Sequence, residues 1–131
     1  MGFGRVLLLT FVLASIQSAP LMAQVSDADG ARALVGECAN CGERGMQAVA
    51  EVIRRRGSLR GIYGFKASHV DHEPAWVWDQ ARKAWRASAT SNISNGADHF
   101  ESVDFKTPAW AKGVAPVSTV GKHRFYRLKG V

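Results

Sequence analysis

Residues 36–56, GECANCGERGMQAVAEVIRRR, set a cysteine pair directly before a regular helix, and the fold turns on which of the two organises the other. Apolar residues at Met46, Val49, Ala50 and Ile53 follow the 3.6-residue helical period, with Glu51 and Arg55 spaced as an i,i+4 pair on the outer side. Gly42 and Gly45 punctuate the start, and Gly57 stops the helix. Cys38 and Cys41 form a C-x-x-C that invites three chemistries. Haem attachment needs a histidine after the motif, where Gly42 stands. A zinc site needs two further ligands, and of His69, His72, His99 and His123 only the loose His69-x-x-His72 pair is suitably spaced. A thioredoxin-like centre requires a strand before the motif within a βαβ pattern, whereas here a helix precedes it. What remains is a local disulfide brace between Cys38 and Cys41, with a redox or metal protein as the alternative and neither metal nor cofactor expected.

Upstream, Asp27 and Asp29 are available as N-caps for a short helix over Ala31–Val35, with Glu37 on or just after its last turn. A carboxyl there, beside apolar residues and the cysteine pair, is a candidate for a proton donor near neutrality, since desolvation disfavours its charged form. Taken alone, an isolated Glu reads as a surface residue. Downstream, residues 58–73 show no convincing period, and Gly61, Gly64 and the polar run Ser68–His72 predict an irregular connection, a candidate to line a groove. Pro74 starts a third helix, in which Ala75, Trp78, Ala81 and Trp85 form an apolar stripe and Asp79 pairs with Lys83. A polar link, residues 88–96, leads to two strand-like segments, residues 99–105 and 122–128, separated by a loop containing Pro108 and Pro116. Helices first and a small antiparallel sheet last make the fold α+β.

The N-terminus carries Arg5 and then an apolar run to Ile16, too short to span a bilayer but suited to a signal-peptide core. Residues 1–23 are read as a signal peptide cleaved before Gln24, and residues 24–131 as one domain with a secreted or periplasmic destination. A domain of this size buries only about two thirds of its unfolded surface, which leaves no room for a second core. Loss of Arg5 takes the basic count from 17 to 16 against 11 acidic residues, so the mature net charge is +5. That field suits an anionic partner such as peptidoglycan, teichoic acid or nucleic acid. The one basic cluster, Arg54–Arg56 with Arg60, has no interleaved aromatic and reads as a solvated helix end, so nucleic acid is not an expected partner.

Two segments together carry a resemblance. Residues 36–56 resemble the catalytic-helix region of the SleB-type cell-wall hydrolases, the spore-cortex-lytic enzyme family, in which a Gly-Glu pair precedes a Gly-Met-x-Ala-Val-Ala-x-Val-Ile helix. Residues 95–128, NGADHFESVDFKTPAWAKGVAPVSTVGKHRFYRL, are similar to that family's closing segment, with its Gly-Ala-x-His-Phe turn, Pro-x-Trp and final Val-Gly-x-His-x-Phe-Tyr. The family helix commonly ends Leu-Asn-Arg where this chain has Arg54-Arg55-Arg56, and the C-x-x-C is this chain's own. The resemblance implies a small lysozyme-like or lytic-transglycosylase-like domain cutting the β-1,4 bond between N-acetylmuramic acid and N-acetylglucosamine, and a monomer is the expected state. It makes Glu37 the catalytic acid, puts Gly96, Ala97, His99 and Phe100 in a turn beside the groove, and puts Trp110, His123, Phe125 and Tyr126 in the closing elements. His99, Trp110, His123 and Tyr126 are the expected substrate-binding residues; Phe100 and Phe125 read as core. One strong carboxylate suffices where the substrate's own groups assist, and Asp98, Glu101 and Asp104 are the carboxylates near the matched turn that could activate water in a hydrolysis. The competing reading is a non-catalytic peptidoglycan-binding module using Trp76 and Trp110 as sugar-stacking rings.

Overall fold

A computed structural model describes residues 24–128; the expected signal peptide, residues 1–23, lies outside the described residues. Three helices precede a three-stranded sheet, as expected of an α+β chain. The first helix, α1 (Asp27–Cys38), is longer at both ends than Ala31–Val35. Its N-cap is Ser26, whose hydroxyl accepts from the Asp29 N–H at 3.1 Å. Asp27 and Asp29 instead occupy the first turn, where negative charge faces the positive helix pole. Glu37 falls on the last turn.

Helix α2 (Gly42–Arg56) starts at Gly42 and ends at Gly57, whose φ of 65° lets its N–H reach back to the Ile53 and Arg54 carbonyls. Met46, Ala48, Val49, Ala50, Val52 and Ile53 are all buried, so α2 is wrapped on more than one face. The expected pair forms, with Arg55 Nη2 3.7 Å from Glu51 Oε1, but its place on the outer side is overturned: Glu51 is 2% exposed. Its carboxylate accepts hydrogen bonds from the Ser91 and Ser94 hydroxyls and from the Ile93 and Ser94 amides. Burial alone pushes this carboxyl up, but the hydrogen bonds outweigh it and hold the group below the ordinary value. Arg55 donates to Ser94 Oγ, the Ala97 carbonyl and Asn92 Oδ1. Arg54 donates to Ser88 Oγ and the Trp85 carbonyl and stacks over the Trp85 ring at 4.2 Å. Arg54 and Arg55 are therefore structural ties rather than part of a solvated helix end.

Residues 58–73 form two 3₁₀ turns, Tyr63–Lys66 and Ser68–His72, laid against α1. Arg32 of α1 clamps them, donating to the Phe65 carbonyl at 3.1 Å and to Asp71 at 2.9 Å. Helix α3 (Ala75–Ser88) has Pro74 as its N-cap. Its buried face is Val77, Ala81, Ala84 and Trp85; Ala75 is exposed and Trp78 only partly covered. Asp79 pairs with Arg82 rather than Lys83, and Lys83 reaches Glu43 of α2. Trp85 is the largest buried side chain, and its Nε1–H donates to Asp27 at 2.8 Å, joining α3 to the start of α1.

The sheet contains β1 (His99–Ser102), β2 (Ser118–Val120) and β3 (His123–Tyr126), antiparallel in the order β1-β3-β2. Phe100 lies opposite Phe125 and Ser118 lies on the other side of Phe125. Gly121, with a φ of 56°, supplies the left-handed residue in the tight turn between β2 and β3. Phe125 is fully buried and joins the sheet to the helical core.

Candidate active site

Glu37 is positioned by a contact between two backbones. Gly36 of α1 and Gly64 of the first 3₁₀ turn lie so close that a Cβ on either would overlap the other segment's main chain. This approach brings the Gly64 N–H to Glu37 Oε1 at 2.7 Å. Removal from water raises the Glu37 carboxyl above its ordinary value, and the Gly64 hydrogen bond partly offsets that rise. His69 bridges the same region, with Nε2 3.0 Å from the Gly36 carbonyl and Nδ1 3.0 Å from Glu73 Oε1. Gly64 was legible in the sequence only as loop punctuation; its role needs a partner 27 residues away.

Two open cavities meet at Glu37. The larger, about 810 Å³, runs between the 61–63 segment and the sheet. Glu37, Asn40, Tyr63, His99, Phe105, Trp110 and His123 are among its lining residues. The second, about 450 Å³, continues past Glu37 and Asn40 to Ala39, His69, Glu73, Trp76 and Val77. Glu37 therefore stands at the junction of a cleft that extends on both sides of it.

Of the expected substrate-binding residues, three line the larger cavity. His99 packs against Trp110 with ring centroids 5.1 Å apart, and Trp110 is 40% exposed. His123 is nearly buried in the wall; desolvation lowers its basicity, opposed by the charges of Glu101 and Asp104. Tyr126 is placed differently. It is 3% exposed, lies edge-on beneath Trp110 at 5.4 Å, and its hydroxyl donates to Glu101 at 2.8 Å. Residue patterns alone missed Asn40 and Phe105 as cleft residues, and marked Tyr63 only through the groove-lining connection that contains it. Tyr63 and Phe105 are 86% and 76% exposed, too much for packing to explain them. Trp76, off the stripe of its helix, is 63% exposed at the mouth of the second cavity.

The carboxylates beside the turn have different surroundings. Glu101 would be raised by burial, but Arg124 at 2.6 Å and the Tyr126 hydroxyl hold it below the ordinary value, so it stays ionised. Asp98 binds His99 Nδ1 at 2.7 Å and accepts the Leu128 N–H at 3.0 Å. Asp104 is exposed on the cleft wall. Cys38 and Cys41 form a disulfide joining the end of α1 to the N-cap of α2. His123 Nδ1 lies 3.7 Å from the Cys38 sulfur and 3.8 Å from that of Cys41.

No family model matches the chain, and no curated protein matches it. Solved structures do. The catalytic domain of Bacillus cereus SleB matches with a TM-score of 0.58 and 22% identity, over 77% of this chain and 89% of that one. The catalytic domain of the germination-specific lytic transglycosylase SleB from Bacillus anthracis matches with a TM-score of 0.61 and 22% identity, over 84% of this chain and all of that one. Three helices followed by a three-stranded antiparallel sheet, shared across most of these chains, give this protein the fold of the SleB catalytic domain.

Proposed function

We propose that this protein is an exported enzyme that cleaves peptidoglycan glycan strands at the β-1,4 bond between N-acetylmuramic acid and N-acetylglucosamine, with Glu37 as general acid and then base. The observation that carries the reading is a carboxyl, with its proton affinity raised by burial, at the junction of two open cavities. Sugars bound on either side of Glu37 bring the scissile oxygen to it. Because Oε1 accepts the Gly64 N–H, the proton resides on Oε2, which delivers it to the leaving glycosidic oxygen. The same N–H stabilises the carboxylate left behind. The oxocarbenium-like centre is met by the muramyl N-acetyl group, and attack by the sugar's own C6 hydroxyl, deprotonated by Glu37, closes a 1,6-anhydro ring. This route uses one carboxylate, which fits Glu101 being engaged by Arg124 and Tyr126. His99, Trp110 and His123 form one wall of the substrate cleft, with Tyr126 holding Trp110 from below. Arg56, Lys106 and Lys122 on the same cleft suit the carboxylates of peptide stems.

Mass spectrometry of purified peptidoglycan digested with the wild-type protein and with Glu37→Gln tests this. Anhydromuramyl ends from the wild type and none from the variant are expected; reducing ends would move the mechanism to hydrolysis, with Asp104 the exposed carboxylate to examine. An active Glu37→Gln overturns the assignment. The exposed rings of Tyr63, Trp76 and Phe105 also suit a non-catalytic glycan-binding module, whose signature is sedimentation with peptidoglycan and no soluble fragments.

A further inference from the structure

The fold brings together three metal-ligating side chains that the proposed glycan chemistry does not use as a set. Cys38 ends α1, Cys41 caps α2 and His123 opens β3, more than 80 residues further along the chain. The two sulfurs and a histidine nitrogen lie within 4.8 Å of one another, the only such cluster among the described residues. His123 presents Nδ1 to both sulfurs, at 3.7 and 3.8 Å. Bond lengths of about 2.3 Å to sulfur and about 2.05 Å to nitrogen at the tetrahedral angle set a sulfur–nitrogen edge of about 3.6 Å. The histidine is thus already placed where a zinc ligand would be.

We propose that reduction of the Cys38–Cys41 disulfide opens a Cys₂His site for Zn²⁺, with His123 Nδ1 as the third ligand and the fourth position facing the cleft. Two thiolates and an imidazole are a donor set that zinc favours over magnesium or calcium. Three protein ligands with an open position is an arrangement zinc readily takes. The open side follows from exposure: Cys38 is 1% exposed, whereas Cys41 and His123 line the cleft. In the disulfide state the sulfurs are bonded to each other and the site is closed.

Opening needs a dithiol reductant. Its thiolate attacks the accessible Cys41 sulfur, forming a mixed disulfide and expelling Cys38 as a thiolate. Its second thiol then closes the reductant's own disulfide, is oxidised, and frees Cys41. Two electrons pass to the protein, and zinc then displaces one proton from each thiol that is still protonated. The sulfurs must separate to about 3.8 Å, the edge set by two such zinc–sulfur bonds, and Cys41, only partly buried, turns towards the cleft to provide it.

The test compares the oxidised protein with protein reduced by a water-soluble phosphine, which does not compete for zinc as a dithiol does. Each is titrated with Zn²⁺ against a chromophoric chelator, and the reduced form with Co²⁺ for its sulfur-to-metal charge-transfer bands. One Zn²⁺ per chain is expected, at least about 100-fold tighter in the reduced form, with affinity weakened at least about tenfold in His123→Ala. Zinc-edge X-ray absorption of the reduced wild type should show two sulfur neighbours and a histidine, which decides the ligand set even if His123→Ala does not fold. Sub-stoichiometric binding by the reduced protein, equal binding by the oxidised form, a folded His123→Ala that binds as tightly as the wild type, or a shell lacking histidine would each overturn the proposal. None of these readouts depends on glycan cleavage.

Discussion

At the scale of the residue, Glu37 unites a carboxyl whose proton affinity burial raises with a backbone donor. Replacing it with Gln keeps an oxygen for the Gly64 N–H and removes the proton chemistry, so peptidoglycan release should fall by about 10²-fold or more while circular dichroism is unchanged. The stability sign is opposite. Because folded Glu37 holds its proton more tightly than the unfolded chain, it favours folding below the ordinary carboxyl pKa, and that advantage is lost as pH rises through the raised value. Glu37→Gln should therefore gain in Tm relative to wild type between pH 4 and pH 8, measured by thermal denaturation at both. Activity should also decline on the alkaline side of the same raised value. Desolvation of this carboxyl was legible from its place at the end of a partly apolar helix; the Gly64 donor was not, because it comes from a segment with no periodic pattern.

At the scale of the element, the link between α3 and β1 is held by what resembled a solvent-facing helix pair. Spacing identified Glu51 and Arg55 as neighbours, but spacing is blind to a loop folding over them. Glu51→Ala leaves the Ile93 and Ser94 amides without their acceptor and should cost about 3 kcal/mol in urea denaturation. The Glu51 contribution is complete above the ordinary carboxylate pKa and is lost as pH falls through the lowered value, so the gap between wild type and variant should narrow in strong acid. The same limit explains β2, whose three residues show too little alternation to be legible and become a strand only by pairing with β3. The 3₁₀ turn at Tyr63–Lys66 carries its own prediction. Gly64→Ala should displace the turn from α1, lower Tm, and cut activity about 10²-fold with little change in affinity for peptidoglycan, measured by sedimentation.

At the scale of the whole molecule, helical periodicity and late aromatic strands made the α+β order legible, and two motif-bearing segments pointed to the SleB fold. The cleft was only partly legible, since its walls come from the α1–α2 junction, an irregular connection and the sheet, brought together by tertiary packing. Tyr63→Ala and Trp76→Ala sit in different cavities, so each should weaken sedimentation with peptidoglycan about fivefold, while Tm stays near wild type because both rings are largely exposed. The contact between Gly36 and Gly64 has a further consequence for how such a site tolerates genetic change. The donor to the acid belongs to the main chain, so no side-chain truncation can delete it. Harm comes only from growth: any replacement at either glycine adds atoms where the two backbones meet. A mutational scan that elsewhere reports lost contacts reads inserted ones at these two positions, where the backbone contact is robust to erosion but not to accretion.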